Sequence, residues 1–339
     1  MSLKYAENLE GTMQSLDIMP LSIDLLSQFY INTIKGRGDN PLKSIKRTLL
    51  QNIENDQAKT FHFLFSGYRG CGKTTELNYL TQEIQDKIMV INFSVYEELD
   101  PITFNHTDLY LVLMEKLLDL AETKGLRIDD AYLEKLKLWT EYESIRDIIT
   151  LGDSKEGEVS VGGEASMGIP YFSKIFAKIK ATAKTSTSHK KEITTKIELK
   201  LTELIENCNT LISTIKQKLW VTGLKDMLII IEDMDKLDLP KAQDLFYNYS
   251  TFLTRIQTST IFTFPISLMY HTKFNVIKNN FDLSFELPTI KVFNRDGSPN
   301  EEGRKILSNI VESRMSLDLF EEDVLESFLV KSGGCIRDL

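Results

Sequence analysis

The chain has 339 residues, 42% apolar and 26% charged, with a formal net charge of −9. This is an ordinary globular composition, long enough for two domains or for one large core with additions. It excludes a chain-wide basic footprint for nucleic acid, so any such contact must be local.

Three distant cysteines and four scattered histidines give neither a disulfide framework nor a zinc spacing. The first thirty residues lack a basic stretch followed by an apolar core. No run of ~18 apolar residues is present. The expectation is a reducing, cytoplasmic setting and no transmembrane segment.

Residues 1–20 are polar and turn-rich. Ile23, Leu26, Tyr30 and Ile34 recur at helical steps, which predicts one helix over 22–34. Lys35 to Pro41 is a breaker cluster. A second helix, carrying Ile45, Leu49 and Ile53, is predicted over 42–54. Residues 1–60 therefore read as an N-terminal helical segment.

Phe61 to Phe65 is a short apolar, aromatic-rich run of strand type. Gly67-Tyr68-Arg69-Gly70-Cys71-Gly72-Lys73-Thr74 follows, in the pattern G-x-x-x-x-G-K-T. Leu77, Leu80 and Ile84 then sit at helical spacing. Strand, glycine loop and helix form the context in which this pattern binds phosphate. Glycines let successive N–H groups turn inward, and the helix start adds unpaired N–H groups and a positive dipole end. Lys73 is expected to reach the β- and γ-phosphates. Thr74 is expected to ligate Mg²⁺, with Thr75 beside it.

Residues 88–93 read as a second buried strand. Asp100-Pro101 is expected to open a long helix with Leu109, Leu113, Leu117 and Leu120 on one stripe. Another helix is predicted over 129–149. Residues 152–168 are glycine-rich and read as a loop. Residues 170–200 hold eight lysines against two glutamates, with Ile175, Phe176 and Ile179 as an apolar stripe. The functional readings of this stretch are a membrane surface, an acidic partner or nucleic-acid phosphate; the favoured reading is the solvated arm of an inserted helical hairpin. Ile193 to Leu219 shows steps of three and four throughout, which predicts one long helix with a coiled-coil-like seam. The helix of 129–149 is its expected partner.

Met227 to Ile231 is a wholly apolar strand ending in Glu232-Asp233-Met234-Asp235-Lys236. Two acids at such a strand end suit a metal ligand and a water-polarising base. One register puts Glu232 on the metal and Asp233 on the water; the other puts Asp233 on the metal and Asp235 on the water. A helix is predicted over 245–256, a strand over 259–266 and a last strand over 281–287. Thr263 and Ser267 are candidates to touch the γ-phosphate. After a turn at 294–300, helices are predicted over 301–315 and 321–330. Residues 332–338 read as a further helix start, with Arg337 one turn in, as in a piece of a longer protein.

These parts together resemble the AAA+ ATPases, nearest to the initiator-like (origin-recognition type) and STAND/KAP-like bacterial branches. The residues that carry the likeness are G-Y-R-G-C-G-K-T-T-E-L at 67–77, I-I-I-E-D-M-D-K-L at 229–237, S-T-I-F-T-F-P-I-S-L at 259–268 and S-G-G-x-x-R-D at 332–338. It spans about residues 40–339, interrupted at 150–222.

The resemblance implies an α/β P-loop NTPase core of three layers around a five-stranded parallel sheet. The core would span 61–290, with a helical insertion at 150–222 and a small helical lid beginning at 291–339. It implies ATP and Mg²⁺ bound between core and lid, with the N-terminal segment beside the base. It makes Arg337 the lid arginine that senses the γ-phosphate, a task suited to a planar fork. Arg255, Arg295 and Arg314 are candidates for a finger supplied to a neighbouring copy. The implied activity is an ATPase motor or switch acting on an effector protein or as a homo-oligomer, in the STAND-like branch often in antiviral (anti-phage) defence. Alternatives are a nucleotide-dependent nucleic-acid-binding module using the 170–200 lysines, and a scaffold that holds ATP without turnover. No guanine-reading N-K-x-D follows the acidic strand, which favours ATP over GTP.

Overall fold

The structure, a computed structural model, describes residues 3–15, 18–57, 59–156, 168–185, 190–321 and 323–339. Five strands form one sheet: β1 (His62–Gly67), β2 (Ile88–Ser94), β3 (Asp226–Glu232), β4 (Ser259–Phe264) and β5 (Leu283–Leu287). Their order is β2-β3-β4-β1-β5, and every pairing is parallel. The all-parallel α/β sheet expected from the sequence is present.

Helices cover both faces, as a parallel sheet requires. The period of two along β3 divides its apolar residues between them. Leu228 and Ile230 join Leu42, Ile45 and Leu49 of the helix Pro41–Glu54, and Leu77, Leu80 and Ile84 of the helix Lys73–Ile84. Ile229 and Ile231 face a larger core built on the helices His106–Thr123, Ile169–Thr185 and Leu201–Val221. A smaller cluster around Ile290, Ile306, Leu307 and Leu329 forms the C-terminal helical part, with helices Glu301–Glu312 and Val324–Lys331.

Several boundaries differ from the sequence expectations. The 22–34 helix stops at Phe29, where Tyr30 turns extended (φ −77, ψ 126), and a short helix resumes at Ile34–Arg37. The break lets the Tyr30 and Thr33 hydroxyls donate to Glu76. Asp100-Pro101 is a turn, because the Asp100 carboxylate accepts from the Ile102 N–H and the Thr103 hydroxyl. The helix starts instead at His106, under a capping box of Asn105 and Asp108. The 129–149 pattern is two helices, Asp130–Glu141 and Glu143–Glu156, broken at Tyr142 (ψ 133). Helix thus continues into the stretch read as a glycine-rich loop; its residues 157–167 lie outside the described residues.

The helix expected over 245–256 starts earlier, at Leu239 under the Asp238 cap, and runs in three short pieces to Leu253. The 332–338 stretch is a series of turns, stopped by the Gly334 N–H donating to Ser332 Oγ.

The Lys-rich stretch forms two helices, Ile169–Thr185 and Lys190–Glu198. Its stripe of Ile175, Phe176 and Ile179 is buried in the large core, with Phe176 stacked on Trp139 at 5.3 Å. Lys180 turns inward and pairs with Glu98 (2.6 Å) and with Glu115; Lys196 pairs with Asp147 and Glu192. The seam from Ile193 to Leu219 is buried at all eight positions, although the helix is interrupted at Leu199–Lys200. It packs on His106–Thr123 as well as on Asp130–Glu141, where the Tyr132 hydroxyl donates to the Asn207 carbonyl at 2.9 Å. No helix among the described residues is long and apolar enough to cross a membrane.

Candidate functional site

The carboxyl ends of the strands open into a cavity of about 680 Å³. Parallel α/β sheets place ligands at this edge. Its polar side holds Gly70, Gly72, Lys73 and Thr74 after β1, Asn92 and Ser94 of β2, and Glu232, Asp233 and Asp235 at the end of β3. Its apolar side comes from the C-terminal helical part, through Ile310, Val311, Met315, Phe320 and Phe328, and from the N-terminal residues Leu9 and Ile18.

The glycine loop is packed too tightly for side chains. Gly70 has φ 83, and a Cβ there would sit 2.7 Å from Cys335 Sγ and 2.8 Å from the Arg337 Cβ. Gly72 precedes the helix Lys73–Ile84 and offers no capping side chain. The first N–H groups of that helix face the cavity end of the sheet with the positive end of its dipole, an arrangement that suits an anion.

Lys73 is 8% exposed. Its Nζ donates to the carbonyls of Gly67 (2.8 Å) and Tyr68 (3.0 Å) and pairs with Asp235 at 2.9 Å. The Glu232 carboxylate accepts from Asn92 Nδ2 at 2.6 Å, with the Thr74 side chain beside it. Burial pushes the Glu232 carboxyl above its usual range; Thr74 and Asn92 pull it back, and Asp233 and Asp235 push it up. Asp233 adopts a left-handed backbone (φ 66), which swings its side chain off the strand line. Its carboxylate accepts from Ser94 Oγ at 2.5 Å and pairs with Lys236 at 2.6 Å. Glu232, Asp233 and Asp235 thus occupy three distinct places: beside Thr74, beside Ser94, and on Lys73.

The other predicted residues divide. Arg69 and Thr75 line the cavity, although the Thr75 hydroxyl accepts from the Leu21 N–H at 3.2 Å. Tyr68 is exposed and contributes its carbonyl to Lys73, not its side chain. The Cys71 side chain packs into the core beside Leu77, and burial pushes its thiol up. Arg337 borders the cavity, and its N–H donates to the Gly70 carbonyl at 3.2 Å, from a turn and not from the expected helix.

Thr263 lines the cavity with its hydroxyl spent on β3: it accepts from the Met234 N–H and donates to the Ile231 carbonyl. Ser267 is exposed on the short helix Ile266–Met269 and does not line the cavity. Of the finger candidates, Arg314 lines this same cavity. Arg255 is exposed over the Phe252 ring, and Arg295 is exposed in its turn.

Asn92, Ser94, Arg37 and Glu76 stand near the loop and were not among the residues expected there from the sequence. Asn92 and Ser94 had a signal: two polar residues two apart close a buried strand, so they share one face at the ligand edge. Ser94 pairs directly with Glu232 across the sheet. Among the described residues no group of three or more His, Cys, Asp or Glu side chains forms a metal cage.

No family model matches this chain, and no curated protein matches it.

Proposed function

We propose that the chain is a P-loop ATPase that binds ATP with Mg²⁺ in this cavity and hydrolyses it. The observation that carries the reading is the convergence of a glycine loop at a helix start with Lys73, Thr74 and the strand-end acid Glu232. That combination places backbone N–H groups, one cation and hard oxygen ligands on one wall of one cavity. The donor set fits Mg²⁺, which takes oxygen ligands and is held by one or two protein groups when phosphates complete its shell. Thr74 and Glu232 are the residues that would hold it. Bound Mg²⁺ neutralises charge on the phosphates.

Each residue then has a task. Lys73 exchanges Asp235 for phosphate oxygens, since both are anions competing for one ammonium. The glycine-loop N–H groups orient the phosphates. Asp233 orients and deprotonates the attacking water once it leaves Ser94 and Lys236. Positioning and charge neutralisation supply most of the acceleration in this chemistry. Arg337, held at the loop by its own backbone, carries a guanidinium toward the γ-phosphate. The apolar side gives the base a dry seat. Residues 291–339 act as a lid, and its closure is the signal passed to a partner, as in an AAA+-like switch.

Calorimetric titration of MgATP into the wild-type chain and Lys73→Ala tests the reading. Binding by the first and not the second is expected. Equal binding by both would remove the phosphate loop from the account.

A further inference from the structure

Arg37 lies behind the glycine loop and is 2% exposed. A charge this deep needs partners on every side. Its Nε donates to Thr33 Oγ1 at 2.7 Å, its Nη2 donates to the Cys71 carbonyl at 2.7 Å, and its Nη1 donates to the Pro288 carbonyl. Glu76 lies 3.6 Å from Nη2 and accepts from Thr33 Oγ1 (2.6 Å) and Tyr30 Oη (3.0 Å). One guanidinium therefore ties together residues 30–37, the glycine loop and the exit of β5. Lysine, a point donor, cannot span these positions.

The bond to Cys71 has the largest consequence. In a planar peptide the C=O and the following N–H point in opposite directions. Holding the Cys71 carbonyl on Arg37 therefore turns the Gly72 N–H away from the guanidinium, on the side where Gly72 lines the cavity. Gly72 sits at φ 95, a left-handed conformation that glycine adopts without a Cβ penalty, and its carbonyl accepts from the Glu76 N–H at 3.0 Å. Without Arg37 the Cys71 carbonyl loses this donor, and the orientation of the peptide is no longer fixed from that side.

The geometry points to Arg37 as a positioning residue that presents the Gly72 N–H to a bound phosphate, with Glu76 holding the guanidinium in place. This rests on the nucleotide reading above. Glu76 stands in the first turn of the helix Lys73–Ile84, so the pair also fixes that helix start to the loop. The Pro288 bond extends the restraint to the segment that leads into the C-terminal helices.

The test uses two probes, MgATP and inorganic tripolyphosphate, titrated calorimetrically into four proteins. These are the wild type, Lys73→Ala, Arg37→Lys, and the double variant Arg37→Met with Glu76→Met. The double variant removes both buried charges together, so folding is retained; thermal unfolding checks this. Arg37→Lys and the double variant are expected to weaken both probes by about 10- to 100-fold, the worth of one charge-assisted hydrogen bond.

Wild-type affinity in the double variant would overturn the proposal, reducing Arg37 to a counter-charge for Glu76. So would a loss confined to MgATP, which would put the effect on the base and not on the loop. A wild-type chain that binds neither probe sinks the nucleotide reading and this proposal with it. Binding lost in Lys73→Ala but unchanged in the Arg37 variants sinks this proposal alone.

Discussion

Lys73 and Asp235 form an ion pair at 2.9 Å, with side chains 8% and 9% exposed. The acid three residues beyond the end of β3 thus holds the lysine of the glycine loop. Any anion brought to that lysine competes with a carboxylate of its own chain. Asp235→Asn keeps the shape and removes the competitor. It is expected to lower stability by about 1–3 kcal/mol, the worth of a buried charge-assisted bond. It is also expected to tighten tripolyphosphate binding several-fold. Thermal unfolding and calorimetry on the same protein read the two opposite signs.

Packing of the Lys-rich helix is directly testable. Phe176 is fully buried against Trp139, while Lys174 on the same helix is exposed. Phe176→Ala is expected to cost about 3–5 kcal/mol. Lys174→Ala is expected to stay within about 0.5 kcal/mol. Urea denaturation measures both, and equal small effects would mean that the helix is an unpacked arm.

Much of this arrangement is readable from the residues. β1 and β3 are locally encoded, since each carries a short apolar run closed by a signal at its carboxyl end: the glycine loop after β1 and the acids after β3. The large core is legible as a stripe at 193–219, because burial follows the 3.6-residue period even where the helix is broken. Arg37 and Glu76 are not legible: they lie 39 positions apart, with β1 and its loop between them in sequence, and they meet only in the fold. The separate directions of Glu232, Asp233 and Asp235 are hidden as well. They depend on one left-handed residue, Asp233, and letter order does not announce it. Asp100-Pro101 misleads because a good start signal is outcompeted five residues later by a complete capping box.

That capping box yields a prediction of its own. Asn105 Oδ1 accepts from the Thr107 and Asp108 N–H groups, and Asn105 Nδ2 donates to Thr194 Oγ1 at 3.0 Å. Asn105→Ala is expected to destabilise the chain by about 1–2 kcal/mol. Asn105→Asp keeps the cap, loses the Thr194 bond, and should fall between. The midpoint of urea unfolding gives the order.

Stability should depend on pH through His106. This ring stacks on Tyr249 at 4.0 Å and faces Phe252, Asp244 and Lys241. Burial lowers its pKa from 6.5 to about 4; Asp244 opposes the shift and Lys241 adds to it. The folded chain therefore resists protonation that the unfolded chain accepts. Its contribution is complete above pH 6.5 and is lost as pH falls through about 4. The loss is about 3 kcal/mol at most. His106→Gln should flatten the unfolding free energy across this window, which chemical denaturation at a series of pH values would show.

The central claim is a hydrolytic nucleotide site, and Mg²⁺-dependent ATP hydrolysis tests it most directly. The assay compares the wild type, Lys73→Ala and Asp233→Asn, with binding measured in parallel. Turnover by the wild type, loss of binding in Lys73→Ala, and retained binding without turnover in Asp233→Asn are expected. Turnover by Lys73→Ala at the wild-type rate would contradict the central claim.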